Sequence, residues 1–482
     1  MHPSTWRERL WPIKRDAWPR ILPLLLLKFT TSFAYVLLAC TKEAVIIPSV
    51  TSGAEVASVI KGFFVLPISV LLVAQYIRAS NYYSKATLFY GIILIFLAIT
   101  GLYGFVLYPY RDTLSPHASA DRLVAWVPHW RLWIEVYRNW MHTCFYITAE
   151  LWGQFVIFLL YWGCANDVCD MEEAKTAYPL FIGTGALSMI ANGPLTSYCA
   201  RRYAGDYQAF LQFIVVCVCV CGLLTLLAYG WMQRYVLPKY RKANTGASQP
   251  PKLKLSLRES LQHIASSPYL IAVFCMVLSC AFAQNILNVG VRAQQGQLFP
   301  VREAYHQFTA QVNMWAGVIT LVQVFFISGQ LLRWLGWHFS AQLTPVVTGC
   351  GGMIFYLMSY YQEALQPWAQ SLGMTPLALV VYVGALQSLL SRAMKYAAFD
   401  TTLQMTYIPL DPESKVKGKA AIDVVGSRLG KGGSSALQLL LLRLGGTLSI
   451  LATIPWVLLT LVLMSVVWSY AAYYLSKKIP NA

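Results

Sequence analysis

The sequence predicts an all-α membrane protein of about twelve transmembrane helices in two six-helix halves. Three observations carry this. Hydrophobic residues fill 57% of the 482 positions and charged ones only 12%, against about 25% charged in a soluble domain. Apolar runs of about 20 residues, the length a bilayer-crossing helix needs, recur from Ile21 to Leu475. One long basic stretch, residues 236–268, divides these runs six and six.

The expected spans, in order, are 21–40, 56–77, 86–108, 137–164, 178–199 and 209–235, then 269–291, 311–334, 341–361, 376–398, 420–443 and 448–475. The first follows a polar arm bearing Arg7, Arg9, Lys14, Arg15 and Arg20; its apolar run is too long for a cleavable signal core. The sixth contains Cys217, Cys219 and Cys221, a spacing that fits no common zinc pattern, and the eleven cysteines read as small apolar packing residues. The eleventh is the least apolar. Between the sixth and seventh, Lys239, Arg241, Lys242, Lys252, Lys254 and Arg258 face one acid, Glu259, among Gly246, Pro250 and Pro251, which disfavour regular structure. The organisation expected is residues 1–235 as an N-terminal six-helix bundle, 236–268 as a basic cytoplasmic linker and 269–482 as a C-terminal bundle.

The net charge is +17. In a soluble chain that would suggest nucleic acid; in a membrane protein, bases at the cytoplasmic ends of helices are the ordinary cause, and no nucleic acid partner is expected. The N-terminal arm, the linker, Lys415/Lys417/Lys419 and Lys477/Lys478 all fall on one side of a twelve-span chain, which should be cytoplasmic along with both termini. Two six-helix halves with both termini inside resemble the major facilitator architecture, where cargo binds near the midplane between the halves.

Several spans carry lone charges, mostly cationic. A charge at bilayer depth costs roughly 2.5–3.5 kcal/mol on insertion scales, so an anionic cargo is the expectation. Lys42, followed by Glu43, ends span one; it is either a phosphate contact with its counter-charge or a lysine reaching for the interface. In span four Arg138, His142, Tyr146 and Glu150 are four apart and form a slowly drifting stripe. A buried Glu150 must be paired or protonated, which fits a gating ion pair, a ligand contact, a proton carrier or a structural bridge. In span seven Gln284, Asn288 and Arg292 are four apart, with Asn285 adjacent. These amides suit a base or ribose, and equally suit helix–helix contacts. Arg292 can grip a phosphate bidentately or reach for the interface. Around span eleven, Asp423, Arg428 and Gly430-Lys431-Gly432-Gly433 follow one another. The glycine spacing is one residue short of a phosphate loop and Lys431 precedes Gly, so an NTPase loop is excluded. Small residues there let a helix approach either a phosphate or another helix.

Three stretches are distinctive: FYITAELWGQFVIFLLYW from Phe145, EEAKTAYPLFIGTG from Glu172 and YIPLDPESKVKGKAAIDVVGSRLGK from Tyr407, with FVLYPYRD from Phe105 and Arg138-Asn139-Trp140 in support. On these the chain resembles the ATP/ADP translocase (nucleotide transporter) family of obligate intracellular bacteria and plastids, and not the mitochondrial carriers. The resemblance implies nucleotide movement across a membrane, most often ATP for ADP, with proton-coupled net import as the alternative within the family. It implies roles for Lys42, for Glu150 in Ala-Glu-Leu-Trp-Gly, and for Asp400. The chain departs from the family pattern at Ala39 and Cys40 (usually Arg-Asp), Asn288 (usually acidic) and Leu403, Gln404 and Met405 (usually Lys-Glu-Met). Its site should be no less positive than the pattern, with fewer ion pairs.

A triphosphate carries about four negative charges, which need several fixed cations when buried. Lys42, Arg138, Arg292, Arg428 and Lys431 form the pool for a phosphate clamp. Tyr146, Asn285 and Asn288 are the base contacts, and Glu150 and Asp423 the counter-charges of the empty site. Glu150 is also the proton candidate. No metal or cofactor is expected, the carrier should work as a monomer, and the inner membrane of an intracellular bacterium is its expected place. A membrane-embedded phospho-transferase acting on lipid would need acids or His clustered at one membrane face. The stretch with Asp167, Asp170, Glu172 and Glu173 is the only acid cluster and contains no His, so the chain is not expected to be an enzyme.

Overall fold

The computed structural model describes residues 17–48, 53–169, 171–236, 238, 267–323, 328–407, 422, 426–447 and 449–478, and regular structure among them is helical throughout. Asp423, the Lys415/Lys417/Lys419 cluster and nearly all of the basic linker lie outside the described residues.

Twelve long rods can be traced among the described residues. In the N-terminal half these are α1 (Trp18–Ile46), α2 (Ala54–Val59 through Leu66–Ala79), α3 (Lys85–Leu102), α4 (Trp140–Trp152, prolonged to Val168), α5 (Met171–Arg202) and α6 (Tyr207–Tyr235). In the C-terminal half they are α7 (Pro268–Leu298), α8 (Arg302–Val322), α9 (Ser328–Tyr360), α10 (Pro376–Met394, prolonged to Thr406), α11 (Ser427–Leu444) and α12 (Ile454–Ser476). Several starts are fixed locally. Ser84, Asp206 and Thr375 accept the backbone N–H three residues on, at 3.1, 3.0 and 3.2 Å. Pro268 and Pro376 open α7 and α10, where no intrahelical donor is needed. Within α9, Gly336 has φ 71°, a left-handed backbone that glycine adopts without strain, and it breaks the helix there.

Over the described residues, nine of the rods are long and apolar enough to cross a membrane, and α5, α8 and α11 are not. Packing gives the reason. α5 lies along α8, and α11 lies against α2, so these three helices meet the opposite half as well as their own. Part of their surface faces protein in place of lipid and tolerates polar side chains. The α5–α8 seam is close: a Cβ added to Gly317 would sit 2.7 Å from the Ala186 carbonyl oxygen, and one added to Gly193 would sit 2.7 Å from Met314 Sδ. Small residues at such seams let helix backbones approach where lipid gives no hydrophobic drive for association.

Buried apolar residues form two main clusters. One draws on α1 and α3 to α6 with Tyr305 from α8; the other draws on α7, α9, α10 and α12. Each is tied by side chain to backbone bonds: Trp152 Nε1 donates to the Thr31 carbonyl at 3.1 Å, Trp337 Nε1 to the Thr402 carbonyl at 3.1 Å, and Tyr356 Oη to the Ile286 carbonyl at 2.8 Å. Beyond the α5–α8 and α2–α11 seams, polar contacts join the halves where α1, α3 and α7 end and α2, α8 and α12 begin, the face opposite the termini. There Arg302 Nη1 donates to Tyr108 Oη at 2.9 Å, and the Ile450 N–H donates to Glu55 Oε1 at 3.0 Å.

The stripe expected along span four is interrupted. Asn139, at φ −100° and ψ 34°, separates the short helix Arg131–Arg138 from α4. Arg138 therefore lies outside the rod that carries His142, Tyr146 and Glu150.

Candidate functional site

The last turns of α1 set the site. Lys42 and Glu43 are both buried, and adjacent helical residues point in different directions, so each meets a different partner. Lys42 Nζ lies 2.5 Å from Glu150 Oε1 on α4. Glu43 Oε1 lies 2.6 Å from Arg292 Nη2 on α7, an ion pair that joins the two halves. A second cation, Lys61 on α2, approaches the same Glu150 oxygen at 3.5 Å. Lys42 and Lys61 also stand over the ring of Tyr146, at 4.9 and 5.9 Å from its centroid, a geometry that draws each ammonium to the π face. Lys431 on α11 is within electrostatic reach of Glu150 and Lys42, and its side chain is exposed.

Irregular helix surrounds this cluster. Lys61 falls in the π-helical segment Ile60–Val65 of α2, and Glu150 stands three residues before a second one, Gly153–Tyr161. A third, Lys395–Phe399, interrupts α10. Such bulges shift the register of the side chains that follow and recur at functional sites.

The remaining expected residues are spread more widely. Asn288 is half-buried on α7, one turn before Arg292. Asn285 Nδ2 donates to Ser434 Oγ at 2.7 Å and lies 3.3 Å from the Lys431 carbonyl oxygen, so this amide joins α7 to α11. Tyr146 is fully buried, with its hydroxyl lacking a hydrogen-bond partner among the described residues. Arg428 Nη1 donates to Ser69 Oγ on α2 at 3.1 Å, a further link between the halves. Asp400 pairs with Lys395 at 3.3 Å. Arg138 pairs with Asp121 at 2.6 Å and Glu135 at 3.1 Å, in the segment between α3 and α4. His142 Nδ1 and Tyr103 Oη are 2.8 Å apart.

The sequence reading did not include Lys61. Its signal was present: a lone lysine in an apolar run, Val59-Ile60-Lys61-Gly62-Phe63-Phe64, the same mark that singled out Lys42. Together Lys42, Lys61, Arg292 and Lys431 set four cations against two carboxylates, Glu43 and Glu150. An excess of fixed positive charge, supplied from both halves and held within the membrane, suits a polyanion that spans the gap between them.

Comparison with known proteins bears on the fold and the family. In solved structures, the nucleoside transporter NupG superposes with a TM-score of 0.56 at 13% identity, over 95% of this chain and 99% of that one, a likeness of fold. Among curated proteins, ADP,ATP carrier protein 1 of Chlamydia muridarum is 36% identical, covering 98% of this chain and 90% of the relative. The chloroplastic ADP,ATP carrier protein 1 of Arabidopsis thaliana is 34% identical over 94% and 73%. ADP,ATP carrier protein 1 of Rickettsia bellii is 29% identical over 98% and 96%. The family model described as TLC ATP/ADP transporter matches residues 1–479, and the chain, a multi-pass nucleotide transporter of major facilitator fold, belongs to that family.

Proposed function

We propose that this protein exchanges ATP for ADP across the membrane, binding the phosphates at Lys42, Lys61, Arg292 and Lys431. The observation that carries the reading is the surplus of cations over carboxylates at the junction of the halves. In the empty carrier Glu150 and Glu43 occupy Lys42, Lys61 and Arg292. An arriving polyphosphate competes for the same cations and displaces the carboxylates. Because two carboxylates do not neutralise four cations, the empty site keeps net positive charge. Moving that charge between two water-exposed states is unfavourable, so the carrier returns loaded, which is exchange. Asn288, beside Arg292, is a half-buried amide for the base or ribose, and Arg428 stands at the α2–α11 seam on the approach to Lys431. We place residues 1–235 and 269–482 as the two bodies that rock about the site, with the termini and the linker at 236–268 on the cytoplasmic side, where the basic residues predominate. The carrier acts as a monomer in the inner membrane of an intracellular bacterium.

The test is uptake of labelled ATP into proteoliposomes. Uptake should need ADP or ATP inside and should not respond to an imposed pH gradient. Equal uptake into empty vesicles, driven by an inward proton gradient, would establish net import and overturn exchange.

A further inference from the structure

Arg392 is a membrane-embedded cation that the site described so far does not use. It stands near the middle of the α10 rod, Pro376–Thr406, and is half-buried. Its one hydrogen bond is to a neutral group: Nη1 donates to Asn313 Oδ1 on α8 at 3.0 Å. Among the described residues no carboxylate stands within ion-pair distance of it, whereas Arg292 has Glu43 and Lys395 has Asp400.

Asn313 is held in one orientation. A guanidinium offers only donors, so the Asn313 atom facing it is the carbonyl oxygen, and Nδ2 points the other way. There it meets Cys40 Sγ on α1 at 3.2 Å, while Asn192 Nδ2 on α5 approaches the same sulfur at 3.5 Å. Cys40 lies three residues before Glu43, on the α1 face that meets the C-terminal half. Two arginines of that half thus bear on one face of α1, Arg292 directly and Arg392 through Asn313. Arg292 is neutralised there by Glu43; Arg392 is positioned through a neutral amide and a thiol. Cys40 thus places a neutral acceptor at that point of α1.

A guanidinium at this depth without a counter-charge is costly, and an anionic ligand removes the cost. Its planar fork suits two phosphate oxygens. We propose that Arg392 is a further phosphate ligand of the transported nucleotide, set in place by Asn313, and that its vacancy for an anion lets it bind without displacing a carboxylate. This rests on the nucleotide site proposed above.

The test uses purified, reconstituted protein, with ATP, ADP, AMP and adenosine competing against labelled ATP. Arg392→Gln should raise the inhibition constants of ATP and ADP by about tenfold or more while leaving that of adenosine unchanged, and Arg392→Lys should recover part of the loss. Asn313→Asp separates a ligand role from a structural one. It gives Arg392 a carboxylate, which should preserve or raise thermal stability while weakening ATP as Arg392→Gln does. Where Arg392→Gln does not fold, Arg392→Lys and Asn313→Asp carry the same competitor series. The inference is overturned if these variants shift all four competitors equally, or none. Wild-type protein that takes up no nucleotide overturns the proposed function itself, a result visible before any variant is made.

Discussion

Glu150 faces two lysines, one bonded and one at 3.5 Å, and that asymmetry predicts how single substitutions differ. Removing Lys42 leaves Glu150 with Lys61 at 3.5 Å, so the carboxylate keeps a partner. Removing the Glu150 charge leaves Lys42 and Lys61 facing each other over Tyr146. Breaking a buried pair by deleting one partner costs roughly 3–5 kcal/mol, because a charge is left uncompensated; water reaching Glu150 lowers that figure here. Glu150→Gln should therefore lower the unfolding temperature in detergent more than Lys42→Met, and the double variant should regain part of the loss. All three should lose exchange activity by tenfold or more, about 1.4 kcal/mol or above in transition-state binding. A double variant no more stable than Glu150→Gln alone would remove the pair from the account. At this scale the sequence was informative about charge and silent about partners. Lys42, Glu150 and Arg292 stood out as lone charges in apolar runs, since bilayer depth makes each conspicuous. Nothing in the linear order links Glu43 to Arg292 or Lys61 to Glu150, because those pairings come from packing between rods.

Twelve rods were legible as apolar runs because lipid imposes one length on every crossing. Their irregularities were not. The π segments beside Lys61 and Glu150 carry no distinctive composition, and the break at Asn139, at φ −100° and ψ 34°, has no marker such as Gly or Pro in the sequence. The glycines of α11 were readable in kind, as a phosphate approach or a helix contact, and the structure separates them by position. A Cβ on Gly430 would lie 2.5 Å from the Leu278 carbonyl oxygen on α7, whereas one on Gly432 meets nothing within 4 Å. Backbone cannot give way as a side-chain tip can. Gly430→Ala should push α11 from α7, loosen the Asn285 bonds to Ser434 and the Lys431 carbonyl, and destabilise by about 1–3 kcal/mol. Gly432→Ala gains helix propensity, up to about 1 kcal/mol, and should be neutral or stabilising. Thermal unfolding of the two proteins in the same detergent decides this; equal losses would mean that both glycines serve the helix alike.

The whole molecule is closed on the face opposite its termini, and the polar contacts that close it are few. Arg302 with Tyr108, Glu55 with the Ile450 N–H, and Glu43 with Arg292 cross between the halves there. Hydrogen bonds contribute about 0.5–1.5 kcal/mol net each, and charged ones about 1.5–3, so the polar part of this closure, which stands beside the apolar contact of Ala54 with Val289, Leu442 and Ile450, amounts to several kcal/mol. Carrying a two-state equilibrium from 1:99 to 99:1 takes about 5.5 kcal/mol of differential binding. The latch is therefore within reach of a ligand that draws Arg292 from Glu43 in one state and not in the other. If alternation requires this face to part, tying it shut must stop transport without touching the cations. Ile47 and Gly296 offer the tie: a Cβ on Gly296 would lie 2.9 Å from Ile47 Cγ2, which brings the two Cβ positions near the roughly 3.5–4.5 Å that a disulfide spans. The variant with Ile47→Cys and Gly296→Cys should exchange nucleotide when reduced, lose exchange on oxidation and recover it with reductant, while the single variants and the parent chain stay insensitive to the oxidant. ATP binding measured from the termini side should survive the cross-link, because that side is the one the closed face leaves free. Transport that continues through a quantitatively cross-linked protein would mean the halves do not separate here, and alternating access would need another pair of moving parts.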